Sequence, residues 1–366
     1  MKRALATLLL FGAATSAACA PNRGAAYEKA VGEARTAYGR GRYDVAAERW
    51  DEAARTAKVP RDGVYARYEA ALARARAGDV ARASAELKKL ADENNAYSAP
   101  AAYKAADLTA RKDPEAGRRE LEAVALRYPD HAMAKVAFAR VLRHTDEAGP
   151  TAALAYLDTI GPKVAGKALE EDVLYQRARR LAEAGQTIPA RDAFLAIADR
   201  WPYPHGAYFD DSLFRASELE EKLARPREAI AHLERLLSFR EMSVTIGSYE
   251  RPRYIPAILR VAKLHEETLN DRAAARAAYH RLYREFKTST LRDDALWHEA
   301  ELWQKDGDQS TACDRLSTLT SDFPDSRYVP CAVAKCPSIK RPPSSKSPTT
   351  CRPYLTREPT PDGPTR

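Results

Sequence analysis

The apolar positions of this 366-residue chain recur at intervals of three and four residues. That is the period of a helix face and not of a strand. A more specific pattern lies on top of it. Gly or a small residue is followed five positions later by a small one, four later by a large apolar one, and three later by another apolar one. Gly41, Ala46, Trp50 and Ala53 set this pattern, and Gly78, Ala83, Leu87 and Leu90 repeat it. It returns at Lys112, Gly117, Leu121 and Val124, at Ala148, Ala153, Leu157 and Ile160, and at Gly185, Ala190, Phe194 and Ile197. Three more sets follow: Ala224, Ala229, Leu233 and Leu236; Asn270, Ala275, Tyr279 and Leu282; Gly307, Ala312, Leu316 and Leu319. The central small residues stand 37, 34, 36, 37, 39, 46 and 37 residues apart. Self-similarity at such a period predicts a stack of helical hairpins, here eight, in which each unit buries an apolar face that it cannot bury alone.

Each position has a physical reason. Gly at the turn supplies a backbone conformation with positive φ. Small residues let two helices approach, and Ala34, Ala71, Ala178 and Ala300 take the small position on the first helix of their hairpins. The large residue fills the groove against the next hairpin. Pro129, Pro202 and Pro324 follow second helices, which a proline cannot continue. The repeat resembles the tetratricopeptide (TPR) family, whose pattern is small, Gly, Ala, aromatic, Ala, Pro at a period near 34. That resemblance implies an all-α, right-handed superhelical TPR-like solenoid of about eight helical hairpins, whose role is to bind other proteins. Phe286-Lys287-Thr288-Ser289, Asp293-Asp294-Ala295-Leu296, Asp322-Phe323-Pro324-Asp325-Ser326 and Asp210-Asp211-Ser212-Leu213-Phe214 narrow it. These phrases are similar to the punctuation of TPR proteins of the bacterial envelope, including those of outer-membrane barrel assembly and of the Tol system. The aspartates are expected to cap the first helix of a unit.

Composition agrees with helix throughout, since Ala, Leu, Arg, Glu and Lys dominate. The single strand-like stretch is Met242 to Ile246. Of the net charge of +8, Lys2 and Arg3 carry two and the residues from 332 onward carry five, which leaves the body at +1. A nearly neutral body lacks the clustered basic face of a nucleic-acid binder.

Met1-Lys2-Arg3 followed by eleven apolar residues, Ala4 to Ala14, has the proportions of a secretory signal and is too short to span a bilayer. Ser16-Ala17-Ala18-Cys19 resembles a lipobox, with Ser16 where Leu is usual. Lipidation at Cys19 is therefore expected, with Ala20 beside it resembling outer-membrane sorting; the alternative is ordinary cleavage and a soluble periplasmic protein. Cys313, Cys331, Cys336 and Cys351 are spaced by 18, 5 and 15 residues. They contain no CxxC knuckle, so zinc is disfavoured, and disulfides in one of three pairings are expected in an oxidising compartment.

The expected organisation is a signal peptide over 1–18, a lipid-anchor linker over 19–24, the solenoid over 25–331, and a disordered Pro/Ser/basic tail over 332–366. The 46-residue step marks an insertion of about ten residues within Ser238 to Pro256. Insertions in solenoids often line a binding face. Arg240, Tyr249, Arg251, Arg253 and Tyr254 are the candidate partner contacts there, with Trp201 and Tyr203 in a second aromatic connector.

No phosphate loop, nucleophile elbow or metalloprotease motif stands in a suitable context. The seven histidines are scattered without metal-ligand spacing. No catalytic residue, metal or cofactor is expected. The expected function is a non-catalytic scaffold of the cell envelope. Its partners would be other envelope proteins, with membrane contact through the lipid alone and no nucleic acid. The alternative is peptidoglycan binding in service of an envelope enzyme.

Overall fold

The computed structural model describes residues 22–239 and 251–352. Cys19, Arg240, Tyr249 and the strand-like stretch from Met242 lie outside the described residues. Two compact units divide the chain, residues 1–173 and 174–366. Among the described residues there are helices and no strand.

Unit 1 holds four hairpins: α1 (Ala25–Gly39) with α2 (Tyr43–Thr56), α3 (Pro60–Ala77) with α4 (Val80–Asp92), α5 (Ser98–Lys112) with α6 (Pro114–Arg127), and α7 (Ala132–Glu147) with α8 (Pro150–Ile160). A 3-10 turn, Gly161–Val164, follows. The next helix, α9 (Glu170–Glu183), begins at the boundary and pairs within unit 2 with α10 (Thr187–Arg200). Unit 2 continues with α11 (Phe209–Lys222) and α12 (Pro226–Leu237), then α13 (Tyr254–Lys263) and α14 (Arg272–Glu285), then α15 (Arg292–Lys305) and α16 (Gln309–Asp322), and ends on α17 (Val329–Lys335). A π-helical turn, Leu264–Thr268, extends α13.

The repeat positions do what their chemistry predicts. Gly41, Gly78, Gly185 and Gly307 have φ of 74°, 97°, 74° and 83°. Asn270 and Ala224 take the same left-handed conformation at 51° and 57°; Asn tolerates it and Ala is strained by it. Four of the eight second helices then start on an aspartate. Asp79, Asp113, Asp271 and Asp308 accept hydrogen bonds from the backbone N–H three residues on, at 3.3, 2.9, 3.0 and 2.9 Å. Each satisfies an otherwise orphaned donor. The central alanines of seven units are fully buried. The eighth is Gly117, where a Cβ would stand 2.2 Å from Ala110 Cα. Here α5 and α6 cross too closely for any side chain.

Asp210, Asp211, Asp293 and Asp294 do not cap their helices, contrary to expectation. Tyr208 and Leu291 occupy the N-cap positions, without side-chain caps. The aspartates sit in the first turn, where a negative charge still suits the helix dipole. They spend their oxygens on the next hairpin instead. Asp210 pairs with Arg251 at 3.1 Å and Asp211 with Arg253. Asp293 accepts from Ser326 Oγ at 2.7 Å, and Asp294 from Arg327 at 2.5 Å and Tyr328 Oη at 2.7 Å.

The expectation of a disordered tail from residue 332 fails for residues 332–352. The four cysteines pair as Cys313–Cys336 and Cys331–Cys351, with Cα separations of 5.7 and 4.5 Å. Cys336 and Ile339 are buried with Trp297, Leu316, Leu319 and Val329. Lys346 N–H donates to Asp325 at 2.6 Å, and the Arg341 guanidinium ties down the carbonyls of Ser345, Ser347 and Pro348. The segment closes the apolar edge of the last hairpin, which a terminal repeat would otherwise expose. Proline richness did not prevent this, because beyond the end of α17 at Lys335 the chain is held by two covalent staples and needs neither helix nor sheet.

Candidate protein-binding face

Five first helices can be put in register through a small residue: Ala34 in α1, Ala71 in α3, Ala178 in α9, Ser217 in α11 and Ala300 in α15. Each is buried, and each stands twelve residues before the central alanine of its unit. The next residue along takes the equivalent place on the face of its own helix: Arg35, Leu72, Arg179, Glu218 and Glu301. Two residues before the small one, the same face carries Gly32, Glu69, Gln176, Arg215 and His298. One helix turn nearer the N-terminus stand Glu28, Tyr65, Asp172, Asp211 and Asp294.

In unit 2 the charges on this face neutralise one another. Arg179 pairs with Glu183 at 3.4 Å, Arg215 with Glu218 at 3.2 Å, and Arg260 with Glu221. Asp211 also accepts from Tyr175 Oη. Further along, Lys305 reaches Glu266 at 3.4 Å and Lys335 reaches Glu301 at 3.8 Å. A hollow of about 260 Å³ lies on this face, between Arg179, Phe194, Arg215, Glu218 and Lys222. Burial raises the Glu301 carboxyl, and the nearby Lys335 and Lys305 oppose the rise.

The residues expected to meet a partner are largely engaged within unit 2. The Arg251 guanidinium donates to the Phe239 carbonyl at 2.8 Å and to Tyr254 Oη at 2.7 Å, and lies 4.1 Å over the Tyr203 ring. Tyr254 is fully buried and meets Phe286 edge-on. Arg253 lies over the Phe214 ring at 4.8 Å. Trp201 is half-buried under the Arg200 guanidinium at 4.6 Å. Its carbonyl is so close to Gly206 that a Cβ there would stand 2.0 Å away. The structure therefore gathers Tyr203, Arg251 and Tyr254 into one packed joint between hairpins and leaves Trp201 outside it.

Unit 1 differs on the same face. A groove of about 530 Å³ runs between α1, α3 and the turn before α5. Tyr27 and Val31 form its floor, and Tyr65 and Tyr97 its wall, with ring centroids 5.7 Å apart. Tyr65 also meets Trp50 at 5.4 Å, and Tyr97 meets Tyr68 at 5.3 Å. Burial pushes Tyr68 up to about 12 and raises Tyr27 and Tyr97. The Glu69 carboxyl is raised by burial, against the stabilising hydrogen bond from Tyr65 and the charge of Arg35. Arg23 pairs with Asp62 at 3.3 Å at the rim. Arg35 and Arg61 are exposed and make no ion pair among the described residues.

Comparison with known proteins adds the family. Residues 256–289 and 294–326 match the tetratricopeptide repeat. These stretches cover the hairpins α13–α14 and α15–α16, and such repeats serve as protein–protein interaction scaffolds and are generally non-catalytic. No curated protein matches the chain. Solved TPR structures align with it. The C-terminal part of a TPR repeat-containing protein of Cytophaga hutchinsonii has 13% identity and a TM-score of 0.43, covering 72% of this chain and 98% of that one. A tetratricopeptide repeat protein of Parabacteroides merdae has 13% identity and a TM-score of 0.26, covering 85% and 99%. PilF of Pseudomonas aeruginosa has 14% identity and a TM-score of 0.30, covering 77% and 100%.

The groove of unit 1 is not legible in the sequence because it is assembled from residues up to 74 positions apart, Arg23 to Tyr97. One signal is present. Arg35, Tyr65 and Tyr68 stand at register positions that carry ion-paired or buried residues in unit 2.

Proposed function

We propose that this protein is a non-catalytic scaffold of the bacterial cell envelope, anchored by a lipid on Cys19 and facing the periplasm at the outer membrane. The tetratricopeptide match at residues 256–289 and 294–326 carries the scaffold reading. The first-helix face supports it, because it offers charged and aromatic side chains for contact with a protein, Arg35 and Tyr65 in unit 1 and Arg215 and Glu218 in unit 2. Two observations support the compartment. One is the apolar stretch Ala4 to Ala14 ahead of Ser16-Ala17-Ala18-Cys19. The other is the pairing of the remaining four cysteines, which suits an oxidising environment.

Two measurements test the reading. Cys19→Ser with cell fractionation should move the protein from the membrane to the soluble periplasmic fraction; an unchanged membrane pool sinks the anchor. Co-purification from native membranes, with bound proteins identified by mass spectrometry, should return envelope proteins in fixed proportion. Retention on isolated sacculi in the absence of any protein partner would instead favour the peptidoglycan alternative.

A further inference from the structure

We infer that the groove of unit 1 is the ligand site of this scaffold, and that its ligand is an acidic segment of a partner protein carrying aromatic or large apolar residues among its carboxylates. The inference rests on the scaffold reading and makes it specific: one groove, one chemistry.

Three observations carry it. The first is an excess of guanidinium groups. The groove is lined by three arginines against two carboxylates, Glu28 and Asp62; Arg23 is matched by Asp62, while Arg35 and Arg61 make no ion pair among the described residues, and the charge of Arg35 also reaches Glu69. At the position of Arg35 the second hairpin carries the uncharged Leu72. In unit 2 the charges at that position are matched, Arg179 by Glu183 and Glu218 by Arg215. A guanidinium is a five-donor fork that matches a carboxylate two bonds at a time. Glu69 does not fill that role, since its carboxyl is half-buried and engaged by Tyr65.

The second is the wall. Tyr65 and Tyr97 are half-buried, held by Trp50 and Tyr68 behind them. They offer preordered apolar area with a polar tip, the kind of surface enriched where proteins bind each other. Aromatic rings so fixed lose little further freedom when a ligand side chain stacks on them.

The third is room. Gly32 lines the groove in the middle of α1, and a Cβ built there meets nothing within 4 Å. A glycine inside a helix costs stability relative to alanine. Here no packing contact accounts for it, and its effect is to leave the groove open over one helix turn. The volume suits a few side chains of an extended segment and not a folded domain.

The test uses the full chain and two defined probes, the fluorescein-labelled peptides acetyl-(Glu-Phe)4-amide and acetyl-(Gln-Phe)4-amide, read by fluorescence anisotropy. The Glu peptide should bind on the order of tenfold or more tightly than the Gln peptide, and its affinity should fall as salt is raised. Arg35→Glu with Arg61→Glu should erase the difference. Gly32→Phe, which fills the groove and leaves every charge in place, should weaken both peptides; circular dichroism reports whether either variant still folds. Arg179→Glu in unit 2 is the control and should change nothing.

Equal affinity for the two peptides, no binding of the Glu peptide at millimolar concentration, or binding that survives both groove variants would overturn the assignment. So would preferential binding of muropeptides from digested sacculi, since their carboxylates sit on a glycan. The scaffold reading fails separately. If membrane partners co-purify equally with wild type and with the groove variants, the scaffold stands and this groove is not its ligand site.

Discussion

Units 1 and 2 are built from the same hairpin, yet they are held together differently. In the first hairpins of unit 1 the core is mostly alanine: nine of the twelve residues buried around α1 to α3 are Ala, with Trp50 and Tyr27 as the large members. Stability there comes from close approach of helix backbones. In unit 2 the core is Phe209, Phe214, Leu233, Tyr254, Ile258, Tyr279 and Phe286, and the joints between hairpins add aspartate–arginine and aspartate–tyrosine rungs. The consequence reaches the surface. A polar rung consumes the charges that make it, so the first-helix face of unit 2 is largely neutralised. Unit 1 has rungs of its own, Arg67 with Glu93 at 2.7 Å, Arg127 with Asp92 at 2.9 Å and Arg140 with Asp107, but none of them engages Arg35 or Arg61.

This contrast predicts opposite sensitivities. Unit 2 should suffer most from losing bulk. Trp297 is buried against Tyr328, rings stacked at 4.8 Å, with Lys335 5.1 Å over its face. Trp297→Ala should cost about 3–5 kcal/mol. Hydrogen exchange should show α15 to α17 opening while α1 to α6 keep their protection. Uniform loss of protection along the chain would mean that the two units do not unfold independently.

The end of unit 2 should be next. The disulfides close 23- and 20-residue separations. Removing one costs about 3 kcal/mol where the chain-entropy account holds. Cys331→Ser with Cys351→Ser should release the residues beyond Cys336, which Cys313 still holds, to proteolysis and lower the melting temperature of unit 2 alone. Dithiothreitol should reproduce both effects in the wild type and change nothing further in the variant's unit 1.

Unit 1 should suffer from gaining bulk. Gly117→Ala places a methyl 2.2 Å from Ala110 Cα, backbone against backbone. The helices must move apart, at a cost of about 1–3 kcal/mol or more. Gly63, in the same unit, has only ordinary contacts at 3.5 Å. Gly63→Ala should be neutral or stabilising by about 0.5–1 kcal/mol. Urea unfolding of the pair decides whether close approach, and not glycine as such, is what unit 1 depends on.

How legible this is follows from the same physics. Turn glycines, central alanines and the large residue four later are set by contacts within one hairpin, so a fixed spacing reveals them. Asp210, Asp211, Arg251 and Arg253 stand out in the sequence, but there they read as helix caps and partner contacts. Their true pairing spans about forty residues, and nothing local distinguishes an arginine held by Asp211 from one facing solvent. The joint at Tyr203, Arg251 and Tyr254 and the groove at Arg35, Arg61 and Tyr97 therefore exchange places: the insertion is conspicuous by its length, while the groove has no local mark. Residues 336–352 read as disordered for the complementary reason. Composition argues for disorder, and only the pairing of the cysteines, which spacing leaves open, argues against it.

A smaller effect separates turn geometry from packing in unit 2. Ala224 holds φ at +57°, where glycine serves at Gly185 and Gly307. Ala224→Gly should relieve about 1 kcal/mol of strain, less the entropy glycine adds to the unfolded chain. The net gain should appear as a slightly higher urea midpoint. A loss would mean that the Ala224 methyl makes a contact worth more than the strain.

The smallest expected effect is on pH. Glu220 is buried in unit 2, with Arg191 at 3.2 Å, His232 at 3.8 Å and Arg225 at 3.9 Å. Burial lowers the His232 pKa below its ordinary 6.5; Glu220 opposes the shift, and Arg235 and Arg191 add to it. The sign follows from proton counting. Below 6.5 the unfolded chain takes up a proton at this position before the folded one does, so stability falls as pH drops from about 7 towards the folded pKa, then levels off. His232→Gln should flatten that part of the stability–pH curve and leave the region above about pH 7 unchanged. Arg191→Gln, removing one of the cations that depress the histidine, should shift the falling limb to higher stability at about pH 6 relative to about pH 8. An unchanged slope in the histidine variant would place the pH dependence elsewhere. The ion pairs of Glu220 with Arg191 and Arg225 would then hold whatever the charge on His232.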